Sequence, residues 1–285
     1  MTTATHSFGG TVGSAPASGG MTAPIGDVKA TFGGALRSEW TKIRSVRSTF
    51  WTLIVALVAT VGVSVLVALG TVSNKSSLQD LRTTGDPTMQ TTSGFILGML
   101  AMVVFGAMSI TAEYSTGMIR TSFTSQPRRS VVMAAKALVM ALVALVIGLV
   151  SSFASFLIGA RIFAGHDVHV ALGDPHVLRA VIGGGLFFAG TALLAFGLGA
   201  VLRHTAGSVT AGIGVMFLLP VLQSFLPGSW RDQVGKWLPL NAGGNIMATR
   251  NTDHMFSAWT GFGVFALYAL VALVAGFWLT QKRDA

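Results

Sequence analysis

The stretch at residues 49–70 reads TFWTLIVALVATVGVSVLVALG and carries no charged side chain over its 22 positions. A helix needs about 20 predominantly apolar residues to cross the hydrocarbon core of a bilayer, which is about 30 Å thick. This stretch therefore predicts a transmembrane helix.

Five further apolar stretches follow, at residues 93–112, 132–160, 178–202, 206–226 and 258–280. The stretch at 132–160 is the longest, so we expect part of it to tilt, kink or protrude. Of the 285 residues, 52% are hydrophobic and only 10% are charged, whereas soluble domains carry about 25% charged residues. The composition excludes a soluble globule and predicts an all-α integral membrane protein with six transmembrane helices.

The basic residues indicate the orientation of this bundle. Six spans place both termini on one side, and cytoplasmic termini assign 12 of the 19 Lys and Arg residues to inner segments and seven to outer ones. The positive-inside rule therefore predicts that both termini are cytoplasmic. Topology and anionic lipid headgroups explain the net charge of +9 better than nucleic acid does, so no nucleic-acid partner is expected.

The residues before the first span divide into two segments. Residues 1–32 are rich in Gly, Ser, Thr, Ala and Pro, which is typical of a disordered tail and predicts one on the cytoplasmic side. Residues 33–48 predict an amphipathic interfacial helix, although a charged flank before a span is the simpler alternative. Apolar residues recur at helical spacing and cations lie beside them: Leu36, Trp40, Ile43 and Phe50, with Arg37, Lys42 and Arg44. Residues 49–280 then form the transmembrane domain, and 281–285 a cytoplasmic C-terminus.

The chain lacks the motifs of common catalytic and metal sites. It has no cysteine, which excludes disulfides, thiol nucleophiles and Cys-bearing zinc sites. No phosphate-binding loop, nucleophile elbow or H-E-x-x-H helix occurs, so the chain itself is not expected to hydrolyse ATP or to be an enzyme. One outer loop holds His166, Asp167, His169, Asp174 and His176, but its spacing matches no established metal site and favours a solvated loop. We therefore predict no catalytic residue, cofactor or metal.

No Asp, Glu, Lys or Arg lies within the hydrocarbon depth predicted for these stretches. Ion-coupled carriers and ion channels usually place such groups along their pathway, so a self-powered ion-coupled transporter is disfavoured.

The segment between spans two and three concentrates the polar chemistry. Glu113 lies where span two ends, Gly117 permits a bend, and Pro127 breaks a helix. Arg128 and Arg129 can bind headgroups or the carboxylates of a partner. On its own, the segment is an inner loop that carries a topology signal.

Two smaller patterns concern packing and the outer face. Gly94 and Gly98 have the G-x-x-x-G spacing that lets helices approach closely in lipid, and we interpret them as helix-packing residues. Trp230, Val234 and Leu238 recur at helical spacing between two prolines, which predicts a short re-entrant or interfacial helix that acts as an outer gate. Anchoring of the loop by Trp230 and Trp237 is an equally good interpretation.

Three pieces of the chain resemble the permeases of type-two (ABC-2 type) ABC exporters, in particular actinobacterial ones. The first is the E-x-x-x-G-x-x-R spacing of Glu113, Gly117 and Arg120, followed by Pro127-Arg128-Arg129 and Lys136. The second is LRSEWTKIRSVRSTFW at 36–51, which is similar to the amphipathic helix before the first span of that family. The third runs from LPGSW at 226–230 to LPLNA at 238–242 and resembles the outer segment between spans five and six. The resemblance covers most of residues 33–283.

The resemblance implies a half-transporter that pairs with a second permease copy or homologue and with two separate ATP-binding subunits. In that family the amphipathic helix and the loop after span two contact the ATPase. The contacts implied here are Arg37, Glu39, Lys42 and Arg44 on the first, and Glu113, Gly117, Arg120, Arg128 and Arg129 on the second.

The resulting expectation is a non-catalytic permease subunit in a bacterial plasma membrane, in contact with membrane lipids. Its cargo would be a hydrophobic or amphipathic compound such as an antibiotic, a drug or a lipid-like molecule, because the predicted spans lack charge at their centres. A non-transporting anchor or sensor with the same fold stays open. A lipid-modifying enzyme is the weaker alternative, because only Glu113 with its basic neighbours approaches a catalytic set.

Overall fold

The computed structural model describes residues 31–115, 129–250 and 254–282. Residues 1–30 of the tail predicted at 1–32, most of the loop after span two, residues 251–253 and the last three residues of the chain lie outside the described residues. The last two residues of that predicted tail are described: Thr31 caps α1 and Phe32 begins it. Within the described residues every regular element is a helix.

Six helical segments are long and apolar enough to cross a membrane, as the sequence predicts. Five are single helices and one is composite. They are α2 (Arg47–Ser73), α5 (Phe95–Ser115), α6 (Arg129–Ala164), α7 (Val177–Leu202), the composite span Thr205–Gln223 and α12 (Ala258–Lys282). Shorter elements are α1 (Phe32–Ser45), α3 (Lys75–Thr83), α4 (Pro87–Thr91), α10 (Gly228–Gly235), α11 (Pro239–Gly244) and a 3₁₀ turn (Asn245–Met247).

The composite span contains a local change of helix type. It consists of α8 (Thr205–Ile213), a π-helical turn (Gly214–Leu218) and α9 (Leu219–Gln223). Pro220 has no N–H, and its ring would collide with the carbonyl four residues earlier in a regular helix. The wider π turn directly before Pro220 accommodates that collision.

Helix α7 lies at the centre of the bundle. It packs against α5, α6 and α12, and about two thirds of its central residues are buried. Small residues make this packing possible, because they let helix backbones approach closely in an apolar environment. Six buried glycines line its contacts: Gly183, Gly184, Gly185, Gly190, Gly197 and Gly199.

The chain enters and leaves the bundle at the same face, which we call the terminal face. Thr205 Oγ1, just after α7, donates to Thr111 Oγ1 near the end of α5 at 2.9 Å. Arg203 Nη2 donates to the Leu279 carbonyl oxygen near the end of α12 at 3.3 Å. Helix α1 contacts the same ends of α5 and α6. The even number of spans therefore brings both ends of the described chain to one side.

Helix α6 is longer than a bilayer requires. Its 36 residues span about 54 Å at 1.5 Å per residue, against a hydrocarbon thickness of about 30 Å. A single helix of this length must tilt strongly or extend beyond the bilayer. Its first turns lie beside α1 at the terminal face, where they provide a platform for that helix.

Candidate functional site

Four charged side chains meet at the terminal face, and we call them the charge clasp: Glu39 and Lys42 of α1, Glu113 of α5 and Lys136 of α6. The Lys42 ammonium donates to Glu39 Oε1 at 2.7 Å and to Glu113 Oε1 at 2.9 Å. The Lys136 ammonium donates to Glu39 Oε2 at 2.5 Å and to Glu113 Oε1 at 2.8 Å. Each lysine therefore bridges both carboxylates, and the clasp ties three helices together.

The local sequence explains how α1 presents its two charges. Thr31 caps the helix by accepting a hydrogen bond from the Gly34 N–H at 3.2 Å. Glu39 lies one turn after Ala35, and these two residues form the buried side of α1. Lys42 lies three residues beyond Glu39 and so points to the same side of the helix. Leu36 and Ile43 are half-buried and Trp40 is exposed, so the apolar stripe faces away from the most buried side.

The clasp is largely removed from solvent. The side chains of Glu39, Lys136 and Glu113 are 5%, 8% and 9% exposed, and that of Lys42 is 29% exposed. Buried charges are costly unless they are paired and hydrogen-bonded. Two carboxylates and two ammonium groups satisfy that condition, and the loss of any one leaves a net charge in a poorly solvated place.

The clasp also controls the protonation of Lys42. Burial alone would lower the pKa of its ammonium, but the hydrogen bonds and negative charges of Glu39 and Glu113 outweigh burial and raise the pKa above its ordinary 10.5. A lysine whose pKa rises on folding contributes its full stabilisation below the ordinary value and loses it only as the pH rises through the higher one. Lys42 is therefore charged, and the clasp complete at this position, across the physiological range.

The structure separates the predicted ATPase-contact residues into three groups. Glu39, Lys42 and Glu113 belong to the clasp, while Arg37 and Arg44 are exposed on α1. Gly117, Arg120 and Arg128 lie outside the described residues, and of Arg129 only the helical backbone is described. It stays a prediction that these nine residues contact an ATP-binding subunit.

Lys136 is the clasp member to which sequence reasoning gave no site role. It is a basic residue a few positions inside the long apolar stretch at 132–160, and it is buried. A cation in such a place needs a partner, which is the signal that could have identified it.

Gly94, in the turn before α5, and Gly98, on α5, contact neighbouring helices. The Gly94 N–H donates to Ser64 Oγ of α2 at 3.0 Å. A Cβ atom on Gly94 would overlap the Thr60 carbonyl oxygen, and one on Gly98 would overlap the Thr60 side chain and the Phe188 ring. The structure thus places both glycines at contacts within this chain.

A second polar network ties the opposite face together. Asp86 caps α4 by accepting from the N–H groups of Thr88 and Met89 at 3.0 and 3.1 Å. It also accepts from the Thr249 N–H at 2.6 Å, from Thr249 Oγ1 at 2.8 Å and from the Arg250 N–H at 3.2 Å. The segment before the last span is therefore fastened to the segment after the first. No sequence pattern pointed to this contact between residues 163 positions apart.

The predicted outer-gate residues lie on and just after α10. Trp230 is exposed, Val234 is half-buried, and Leu238 follows the helix as the residue before α11. The Gln223 amide donates to the Arg231 carbonyl oxygen at 2.9 Å, which ties α10 to the end of the fifth span. A cavity of about 640 Å³ lies nearby, but none of the three predicted gate residues is among its described lining residues. That lining includes Phe95, Phe187, Asn241, Met247 and Arg250. The gate role of Trp230, Val234 and Leu238 stays a prediction.

The loop that contains His166, His169 and His176 is attached to α3 by a hydrogen bond to its backbone. Arg82 Nη2 donates to the His166 carbonyl oxygen at 2.7 Å and lies 3.7 Å from the Asp167 carboxylate. In the part of the chain that the structure describes, no three His, Asp or Glu side chains converge as a metal site would require.

Comparison with known proteins adds one match. The family described as "ABC-2 family transporter protein" matches residues 35–224. That range includes most of α1, the first five spans and all four residues of the clasp. A comparison with curated proteins finds none that matches the chain.

Proposed function

Because the chain belongs to the ABC-2 family of transporter proteins, we propose that it is the permease subunit of an ABC exporter. In such a system a separate ATP-binding subunit hydrolyses ATP, and the multi-pass membrane subunit provides the route. The charge clasp is the observation that best supports this proposal at the level of single residues. It fixes α1 to the end of α5 and the beginning of α6, and these two helix ends flank the loop at 116–128.

The proposed coupling runs through α1 and that loop. When the ATP-binding subunits close on each other, they move the parts of the permease that they contact. ATP shifts the permease only if the attached subunits interact differently with its two states. Since Lys42 and Lys136 join α1 to both α5 and α6, a displacement of α1 reaches two spans at once.

The proposed cargo is hydrophobic or amphipathic, with antibiotics, drugs and lipid-like molecules as examples. The charged residues of the described spans lie near the helix ends, as Glu113, Lys136, Arg161 and Arg179 illustrate. Four hydroxyl residues lie deeper in the bundle, Ser151, Ser152, Ser155 and Thr191, and all are fully buried. A route through such a bundle offers little to a strongly charged solute.

We further propose that two permease subunits, identical or homologous, act together. The family resemblance supports this pairing. The first, fifth and sixth spans bury only a small share of their central residues, so they leave broad apolar surfaces for lipid and for a second subunit.

Co-purification with an ATP-binding subunit tests the proposal. The tagged chain is isolated from its host membranes, and the recovered ATP-binding subunit and its ATP turnover are measured. We expect Arg128→Ala combined with Arg129→Ala to reduce recovery about tenfold, because two cations that can pair with the partner are removed. The matched control is Lys75→Ala combined with Arg231→Ala, which removes two exposed cations from the opposite face.

Equal recovery with both double variants, at equal membrane insertion, would contradict the docking role of Arg128 and Arg129. Recovery of an ATP-binding subunit whose turnover no hydrophobic compound stimulates would favour the non-transporting anchor or sensor over the exporter.

A further inference from the structure

A cavity of about 320 Å³ lies beside the charge clasp. Four helices form its walls: the end of α1, the first turns of α2, the last turns of α5 and the beginning of α6. Its volume falls at the lower end of the range, about 300–1,000 Å³, that is usual for small-molecule sites.

The lining changes from polar to apolar with depth. Glu113 lies at the terminal face, and Phe105, eight residues earlier on α5, lies about 12 Å deeper at 1.5 Å per residue. Met108 and Met140 line the cavity with Phe105, and Phe105 and Met140 are buried. Near the terminal face the lining includes Lys42 and three hydroxyl residues at the start of α2, Ser48, Thr49 and Thr52. The cavity is therefore amphipathic along its depth.

Two exposed aromatic residues lie beside the cavity in the sequence. Phe50 and Trp51, on the first turn of α2, are exposed aromatic residues next to the lining residues Thr49 and Thr52. Tryptophan, here Trp51, is enriched where headgroups meet acyl chains. This pattern predicts that a molecule in the cavity reaches both regions of the bilayer.

Lys42 offers a hydrogen-bond donor to an anion in the cavity. The charged residues of the lining are the four of the clasp, two acidic and two basic, and three exposed cations, Arg37, Arg44 and Arg47, lie on the same stretch of chain outside the lining. Within the described contacts, the Lys42 ammonium uses two of its three N–H donors on the clasp carboxylates. Its third donor and its 29% exposed side chain are left for a further acceptor.

We infer that this cavity is a binding site for one anionic phospholipid of the leaflet at the terminal face. The phosphate accepts a hydrogen bond from Lys42 beside the hydroxyl groups of Ser48 and Thr49. Part of one acyl chain packs against Phe105, Met108 and Met140. Because Lys42 belongs to the clasp, the bound headgroup contacts the same lysine that joins α1 to α5. The inference goes beyond the proposed function, since the site depends on the fold and not on an ATP-binding partner.

Photo-crosslinking to the purified full-length chain tests this site. The probe is phosphatidylglycerol with a photoreactive group on one acyl chain, and the labelled peptides are identified by mass spectrometry. We expect labelling concentrated on the peptides of Phe105, Met108 and Met140. Unlabelled phosphatidylglycerol should compete about tenfold better than phosphatidylcholine, because only the former has a net negative charge for Lys42.

A cavity-filling variant provides the control within the chain. Thr52→Trp places a large side chain in the cavity, whereas Val58→Trp places the same side chain on an exposed position of α2 outside the lining. Labelling of the three residues should fall about tenfold in the first variant and stay unchanged in the second. If Thr52→Trp does not fold, Met108→Trp fills the same cavity from α5. Labelling spread evenly over exposed positions, or equal in both Trp variants, would overturn the inference and indicate surrounding lipid only.

Discussion

At the scale of single residues, the clasp is better understood as a positioning device than as a source of stability. Desolvation opposes the attraction between buried ions, so apolar side chains of similar volume often stabilise a protein as well. The four paired charges instead fix the position of α1 on the bundle. Helix α1 cannot slide along α5 and α6 without separating Glu39 from Lys136. The coupling proposed for α1 requires a fixed attachment of this kind.

The first prediction concerns Lys136. Lys136→Met leaves two buried carboxylates with a single ammonium group, and breaking a buried pair in this way costs roughly 3–5 kcal/mol. The chain has no cysteine, so Ala35→Cys provides a unique probe on the buried side of α1. We expect this cysteine to resist a maleimide reagent in the otherwise native chain and to react readily when Lys136→Met is added.

Lys75→Met is the matched control, because Lys75 is exposed on α3. It should leave the probe protected. A probe that is equally protected with Lys136→Met would show that the clasp does not hold α1.

At the scale of elements, the bundle depends on close approaches between helices. Helix α5 reaches α2 and α7 because Gly94 and Gly98 have no side chain at their contacts. Not every glycine in an apolar helix has this role. Gly62 of α2 has open space where a Cβ atom would be, although the sequence around it is equally apolar.

This difference gives the second prediction. Gly94→Val forces a side chain against the Thr60 backbone, where it has no flexible neighbour to displace, and overpacking of this kind typically costs about 1–3 kcal/mol. The same substitution at Gly62 meets open space. We expect Gly94→Val to lower the thermal unfolding temperature in detergent by several degrees and Gly62→Val to leave it nearly unchanged. Similar shifts for both variants would contradict the assigned contact.

At the scale of the whole molecule, the six spans follow from the sequence because hydropathy is a local property. The apolar stretches alone predict all six crossings and an even topology. The partners of Lys136 could not be predicted, because Glu39 is 97 positions away and only the packing of three helices brings the two together. The same applies to Asp86 and Thr249, whose contact depends on how two loops meet at the opposite face. The interruption of the helix at Val46, between α1 and α2, likewise has no strong local signal such as Pro or Gly.

The proposed coupling depends most on the side of the membrane at which the clasp lies, because an ATP-binding subunit can reach it only from the cytoplasm. The direct measurement is labelling of single cysteines in intact cells with a membrane-impermeant maleimide. Ser115→Cys lies at the end of α5 on the terminal face, and Ser229→Cys lies on α10 at the opposite face; both positions are exposed. With the clasp on the cytoplasmic side, we expect intact cells to label Ser229→Cys at once and Ser115→Cys only after the membrane is opened. Labelling of Ser115→Cys in intact cells, with Ser229→Cys protected, would contradict that placement.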